Sequence, residues 1–226
     1  MKHKHTESFH TLDDVPDFKL SVITKLFVKM SKIMQMRHPQ SQKNIRFRNL
    51  AIISALYITG GRASEVSEIK LKDVTFENGW IFIRLINRKN KRFTRKEIMA
   101  NLEIEKVFLK WLVDYYNYRV SYCDLEDPLF PMIYQKQEQQ VCITPKAIYH
   151  IATRYVKINP HFFRKLRASH LLEYYGFDVK ALQQYLGWSS VLSSEPYLRI
   201  SKSGIKQNYL KNQEEVKKII GDGERC

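Results

Sequence analysis

The stretch from Asn159 to Ile200 constrains this chain most, because its short helices carry their own start and stop signals. Asn159-Pro160 opens a helical run, and His161 and Arg164, three residues apart, share one face of it. Gly176 and Gly187 each follow an apolar helical run and read as C-terminal caps, where a left-handed residue closes the last turn. Trp188 follows the second glycine directly, and Tyr197 comes nine residues later. Short capped helices of this kind bring an Arg, a His, an indole and a phenol close together.

A second block lies far upstream. Thr59-Gly60-Gly61-Arg62-Ala63-Ser64-Glu65 places an Arg at a helix break, and Glu65, three residues on, can hold its guanidinium by a charge-assisted bond. The chain contains, in order, the Arg62 block, His161-x-x-Arg164, Leu186-Gly187-Trp188-Ser189-Ser190 and Tyr197. In this it resembles the tyrosine recombinases, the family of phage integrases and Xer-type resolvases. Each motif alone is weak, but four in this order and spacing are specific. The resemblance runs from about residue 44 to residue 200.

The resemblance implies a mainly α fold with a small antiparallel β-sheet, the catalytic domain of a DNA breaking–rejoining enzyme. It implies site-specific recombination through a 3′-phosphotyrosine intermediate, with no ATP, metal or other cofactor. Tyr197 is then the nucleophile, and Arg62 and Arg164 stabilise charge on the phosphate. His161 acts as a base or a phosphate ligand, and Trp188 donates its indole N–H. Glu65 supports Arg62. The family also carries a lysine on a β-turn, for which Lys89 is assigned with Lys91 as the alternative. Two rival readings are a type IB topoisomerase-like enzyme and a basic DNA-binding protein without catalysis.

Charge supports a polyanionic partner. The 226 residues hold 38 Lys+Arg against 23 Asp+Glu, a net +15, well beyond what solubility requires. Arg84, Arg88, Lys91, Arg92 and Lys165 are the expected nucleic-acid contacts, with double-stranded DNA as the partner. Hydrophobic residues make up 44%, enough to bury a substantial core. Cys123, Cys142 and Cys226 are too few and too scattered for a disulfide framework or a zinc site. No apolar run nears the ~18 residues of a membrane span. These features read as a cytoplasmic, nucleoid-associated protein.

The remaining chain divides simply. Residues 1–17, with His3, His5 and His10, read as a tail, 18–202 as the catalytic domain, and 203–226 as a C-terminal helix or tail. Ile23, Leu26, Phe27, Met30, Ile33 and Met34 recur at helical spacing. His38 to Lys43 reads as a loop, and Phe47 to Tyr57 as a helix stopped by Gly60-Gly61. A short helix is expected from Arg62 to Leu71 and strands from Val74 to Ala100, with a turn at Glu77-Asn78-Gly79. A helix from Glu103 to Tyr118 should turn Val107, Phe108, Trp111, Leu112 and Tyr115 inward. Residues 119–143 read as loop, and Thr144-Pro145 opens a helix to about Tyr155.

Three departures from the family pattern stand out. Lys165 occupies a position where many members have His, and Trp188 replaces the commoner His. Residues 1–43, ahead of the resemblance, are fewer than the DNA-clamping domain of about 80–100 residues that most members carry. The expectation is therefore a subunit that grips one side of the duplex and assembles on DNA as a homo-oligomer, a tetramer. Ser203 to Ile220 either bridges to a neighbour or folds back on its own domain.

Overall fold

A long helix, α2 (Gln40–Thr59), runs through the middle of the molecule and is buried on every side from Leu50 to Thr59. Its sequence there mixes small and apolar residues all round, so it has no solvent face. The computed structural model describes residues 20–35, 40–89, 92–134 and 137–187. Helix α1 (Leu20–Gln35) lays Ile23, Phe27 and Met30 against the core, with Phe27 edge-on to Phe108 at 5.2 Å. Helix α2 already begins at Gln40, so residues 40–43 of the loop expected at His38 to Lys43 are helical.

Helix α2 stops at Gly60, as expected, and the stop is built by side chains. Thr59 Oγ1 donates to the Ala55 carbonyl (2.6 Å) and accepts from the Gly61 N–H (3.0 Å), while Gly60 takes φ +52°. Helix α3 (Ala63–Ser67) follows and ends before Leu71. The Ile69 carbonyl and the Leu71 N–H bond to Leu129 and Asp127 instead of continuing the helix. Asp73 accepts from the Lys70 N–H at 3.0 Å, which starts a separate 3-10 turn at Leu71–Asp73.

Strands β1 (Val74–Glu77), β2 (Trp80–Lys89) and β3 (Arg92–Asn101) form an antiparallel sheet in that order. Asn78 (φ 48°) and Gly79 (φ +81°) make the left-handed pair that a tight hairpin turn requires. The register Val74↔Ile83↔Ile98 turns Ile81, Ile83, Leu85, Ile98 and Ala100 inward. Arg84 and its partner Glu97 lie on the opposite, exposed face, 3.8 Å apart. Lys96 pairs with Leu85 and so falls on the inward face, a cation among apolar positions.

Helix α4 (Lys106–Val120) buries Phe108, Trp111, Leu112 and Tyr115 as expected, but Val107 flanks that stripe and stays exposed. The segment read as loop contains a hairpin, β4 (Pro131–Tyr134) with β5 (Gln137–Cys142). The polar sequence of β5 hides it. The buried Arg119 donates to Glu138 of β5 and to the Pro128 carbonyl (3.1 Å).

Three capped helices follow among the described residues. Thr144 caps α5 (Pro145–Val156), Asn159 caps α6 (Pro160–Tyr174), and Asp178 caps α7 (Val179–Leu186), each side chain accepting a backbone N–H three residues on. Gly176 (φ +71°) and Gly187 (φ +64°) stand just past α6 and α7, as their sequence positions predict. Buried Arg167 of α6 locks the assembly, bonding Glu105 at 2.7 and 2.8 Å and Tyr185 at 3.1 Å. Tyr185 in turn donates to the Ile58 carbonyl at 2.9 Å, so α2, α4, α6 and α7 meet at one guanidinium. Removing either partner of such a buried pair costs about 3–5 kcal/mol. The described residues thus form a mostly helical fold with two small antiparallel sheets.

Candidate active site

Four elements converge at the end of α2: the Gly60–Arg62 turn, α3, the inner face of β3, and the junction of α6 with the end of α7. Glu65 lies at their centre and is buried. Its Oε2 accepts from the Arg62 backbone N–H (2.8 Å) and from Lys96 Nζ (3.0 Å), and its Oε1 accepts from the Arg62 guanidinium (2.9 Å). Burial alone would raise its pKa, yet Lys96, the Arg62 N–H and the Arg62 guanidinium together hold it below the usual carboxylate value. The carboxylate therefore stays ionised and fixes Arg62 by two separate bonds. The Arg62 side chain is 44% exposed and reaches the surface.

Arg164 sits behind. It is buried, and it donates to the carbonyls of Gly60 (2.8 Å) and Leu186 (2.8 Å). These bonds bring the end of α7 against the turn that carries Arg62. They also explain why Gly60 is a glycine, since a Cβ there would come within 2.8 Å of Leu186 Cδ2.

His161 stands at the start of α6 and is exposed. Its pKa is lowered, first by partial desolvation and then by Lys165, Arg164 and Arg62. The imidazole is therefore largely neutral at pH 7. Among the described residues, Arg62, Lys96 and Arg164 set three cations against the carboxylate of Glu65, so the cluster carries a net positive field suited to an anion.

The sequence-predicted residues are thus partly assembled: Arg62, Glu65, His161, Arg164 and Lys165 occupy one region. Arg84 lies on the far face of the sheet, paired with Glu97. Lys89 ends β2 opposite Arg92. The side chains of Arg88, Lys89 and Arg92 lie outside the described residues, as do Lys91, Trp188 and Tyr197 and the tails 1–17 and 203–226.

Sequence reasoning missed Lys96. Its signal was a lysine at an inward-facing position of β3, between Ile98 and the hairpin. It placed α5 correctly from the Thr144-Pro145 start but did not read its basic face. That helix buries Ile148, Ile151, Ala152 and Val156 and exposes Lys146, Tyr149, His150 and Arg154, with no acidic residue along it. Arg46, Asn49, His150, Arg154 and Tyr155 line an open groove between α5 and α2. A 3.6-residue count along residues 145–156 would have revealed that basic face.

Residues 27–203 match the phage integrase family. The chain belongs to that family. The match takes in most of α1, well ahead of the start at residue 44 read from the motifs. Among curated relatives, it is 30% identical over 175 residues to tyrosine recombinase XerD of Staphylococcus saprophyticus, covering 76% of this chain and 56% of the relative. It is 25% identical over 167 residues to tyrosine recombinase XerA of Pyrococcus furiosus, covering 72% and 54%. The chain therefore spans little more than half the length of these relatives. In fold it is similar to the XerH site-specific recombinase bound to a palindromic difH substrate (TM-score 0.60, 22% identity, 82% of this chain and 50% of that one). It is also similar to the XerA recombinase (TM-score 0.59, 21% identity, 88% and 65%). For this phage integrase family member, the cluster around Glu65 is the part of the candidate site that the described residues contain.

Proposed function

We propose that this chain is the catalytic part of a site-specific DNA recombinase that cuts and rejoins strands through a 3′-phosphotyrosine bond. The observation that carries the reading is the gathering of Arg62, His161 and the buried Arg164 in one positive region, with Glu65 ionised and buried beneath Arg62.

In this reading the Tyr197 hydroxyl attacks a DNA phosphorus. Its proton passes to the neutral imidazole of His161, which is free to accept it at pH 7. A five-coordinate phosphorus forms with negative charge on its non-bridging oxygens. Arg62 and Arg164 meet that charge, because guanidinium groups stay ionised and present planar donors. The Trp188 indole N–H supplies a further donor. The bond to the 5′-oxygen breaks as Lys89, or Lys91 in the alternative register, gives that oxygen a proton. A phosphotyrosine diester and a free 5′-hydroxyl result. The diester retains the energy of the broken bond, so a 5′-hydroxyl from another strand reverses the steps without ATP or metal.

Double-stranded DNA is the partner in this reading, and the enzyme works as a tetramer on it. The basic side of α5 and the hairpin of β2 and β3 are the contact surfaces, with Lys165 beside the site. The test is covalent capture. The protein is incubated with a pool of duplex genomic fragments, denatured, and examined for DNA joined through a 3′-phosphate. Wild type should form the adduct and Tyr197→Phe should not, with DNA binding retained. Adduct at wild-type level in Tyr197→Phe removes Tyr197 as the nucleophile. No adduct with any fragment removes the recombinase reading.

A further inference from the structure

The recombinase reading assigns no role to Lys96, although it is the most enclosed lysine of the cluster. Its side chain is 8% exposed, and its Nζ lies 3.0 Å from Glu65 Oε2 and 3.4 Å from the Leu186 carbonyl oxygen. Its stem crosses the end of α7 so closely that a Cβ on Gly187 would lie 3.1 Å from Lys96 Cδ. Lys96 thus touches both halves of the site. On one side is the carboxylate that fixes Arg62. On the other is the carbonyl that Arg164 also binds, one residue before the Gly187 turn that leads to Trp188.

We propose that Lys96 is a positioning residue: its ammonium clamps the Arg62–Glu65 arm to the Leu186–Gly187 turn, and the clamp holds only while the ammonium is charged. The proposal rests on the recombinase reading for its effect on cleavage, but the clamp itself is a property of the free protein. Lys96 is not the proton donor in this account. Two of its three N–H groups are directed at Glu65 and Leu186, and little of the side chain reaches solvent.

The charged groups facing Lys96 come from each element around it. Glu65 and Arg62 lie on the α3 side, Arg164 on α6 with His161 beyond it, and the α7 end contributes a carbonyl rather than a charge. Burial, with Arg164 and Arg62, brings the lysine down to about 8, while Glu65 acts in the opposite direction. A clamp with that value is closed at neutral pH and opens under mildly alkaline conditions.

Two measurements test this. The first needs no DNA. In nitrogen-labelled protein, the Lys96 ammonium, assigned by its absence in Lys96→Arg, should titrate near 8. Titration near 10.5, the ordinary lysine value, overturns the proposal.

The second uses the fragment recovered by covalent capture, with cleavage followed at subsaturating DNA from about pH 6.5 to 9.5, where the rate reports groups of the free enzyme. Lys96→Met should lower the rate about 100-fold through misplacement of Arg62, with little change in DNA affinity. Lys96→Arg should recover most of that loss and lack the wild-type decline above about 8, since a guanidinium stays charged. A fragment with sulfur in place of the bridging 5′-oxygen separates positioning from proton donation, because a thiolate departs without a proton. Lys96→Met should remain slow on it. Rescue by sulfur makes Lys96 the donor and overturns the proposal, as does a wild-type rate for Lys96→Met or an unchanged alkaline decline in Lys96→Arg. If wild type forms no adduct with any fragment, the recombinase reading falls and the titration alone decides the clamp.

Discussion

Replacing Glu65 with Gln tests the centre of the site without changing its size. Glu65 offers two oxygens to three donors: the Arg62 N–H, the Arg62 guanidinium and Lys96. Gln keeps one oxygen and points an NH2 group at whichever donors remain, and it removes the carboxylate that, among the described residues, faces three cations. A hydrogen bond to a charged group contributes roughly 1.5–3 kcal/mol, and breaking a buried ion pair costs about 3–5 kcal/mol. The expected loss of stability is therefore about 3 kcal/mol, a fall in Tm of roughly 6–12 °C for a domain of this size.

The pH dependence gives the sign. The folded carboxyl lies below the ordinary 4.5, so as pH falls the unfolded chain takes up its proton first. The stabilisation is complete well above pH 4.5 and disappears as pH falls through the folded value. Calorimetry at a series of pH values should show a constant gap between wild type and Glu65→Gln near neutrality, closing in acid. A Tm change under about 2 °C at pH 7, or a gap that persists in strong acid, refutes the account of Glu65 as an ionised anchor.

Arg62→Ala and Arg164→Ala should each reduce cleavage far more than DNA affinity, and Arg164→Ala should destabilise the fold more, by about 2–3 kcal/mol, because it takes the guanidinium from the buried Gly60 carbonyl and leaves the Leu186 carbonyl to Lys96, whereas the Arg62 side chain is half-exposed. Equal Tm values for the two variants would contradict that division. Gly187→Ala should cost about 1–2 kcal/mol from its left-handed φ of +64° and should slow cleavage by displacing the Lys96 stem, both read from denaturant melts and adduct formation. DNA affinity should fall steeply with salt, each neutralised phosphate adding about 0.9 to the log–log slope, and a slope near zero would mean that the net +15 serves another purpose.

Local signals were legible where they act within a few residues. Asn159-Pro160, Thr144-Pro145 and Gly187 end or begin helices through their own caps, and the structure places them so. The Asn78-Gly79 turn was equally plain. The β4–β5 hairpin was not, because Gln137–Cys142 has almost no apolar alternation and is held by backbone pairing with β4 and by the bond from the distant Arg119 to Glu138. The end of α3 was misjudged for a similar reason, since bonds from Ile69 and Leu71 to residues 127–129 compete with helical bonding.

The sequence alone determined the fold class, the family and the Arg62, Glu65, His161 and Arg164 candidates, because caps, periodicity and motif order are all local or ordinal properties of the chain. Only the tertiary structure decided how those residues are held. Arg164 reaches back across the chain to the carbonyl of Gly60, and Lys96 of β3 closes on Glu65 of α3. Neither contact follows from spacing. Each depends on where α2, β3, α6 and α7 meet, and that is set by the burial of α2 on all sides and by the Arg167–Glu105–Tyr185 lock. A lysine in a basic stretch reads as one more surface charge until strand register turns it inward, where burial and the neighbouring guanidinium groups bring its pKa to about 8.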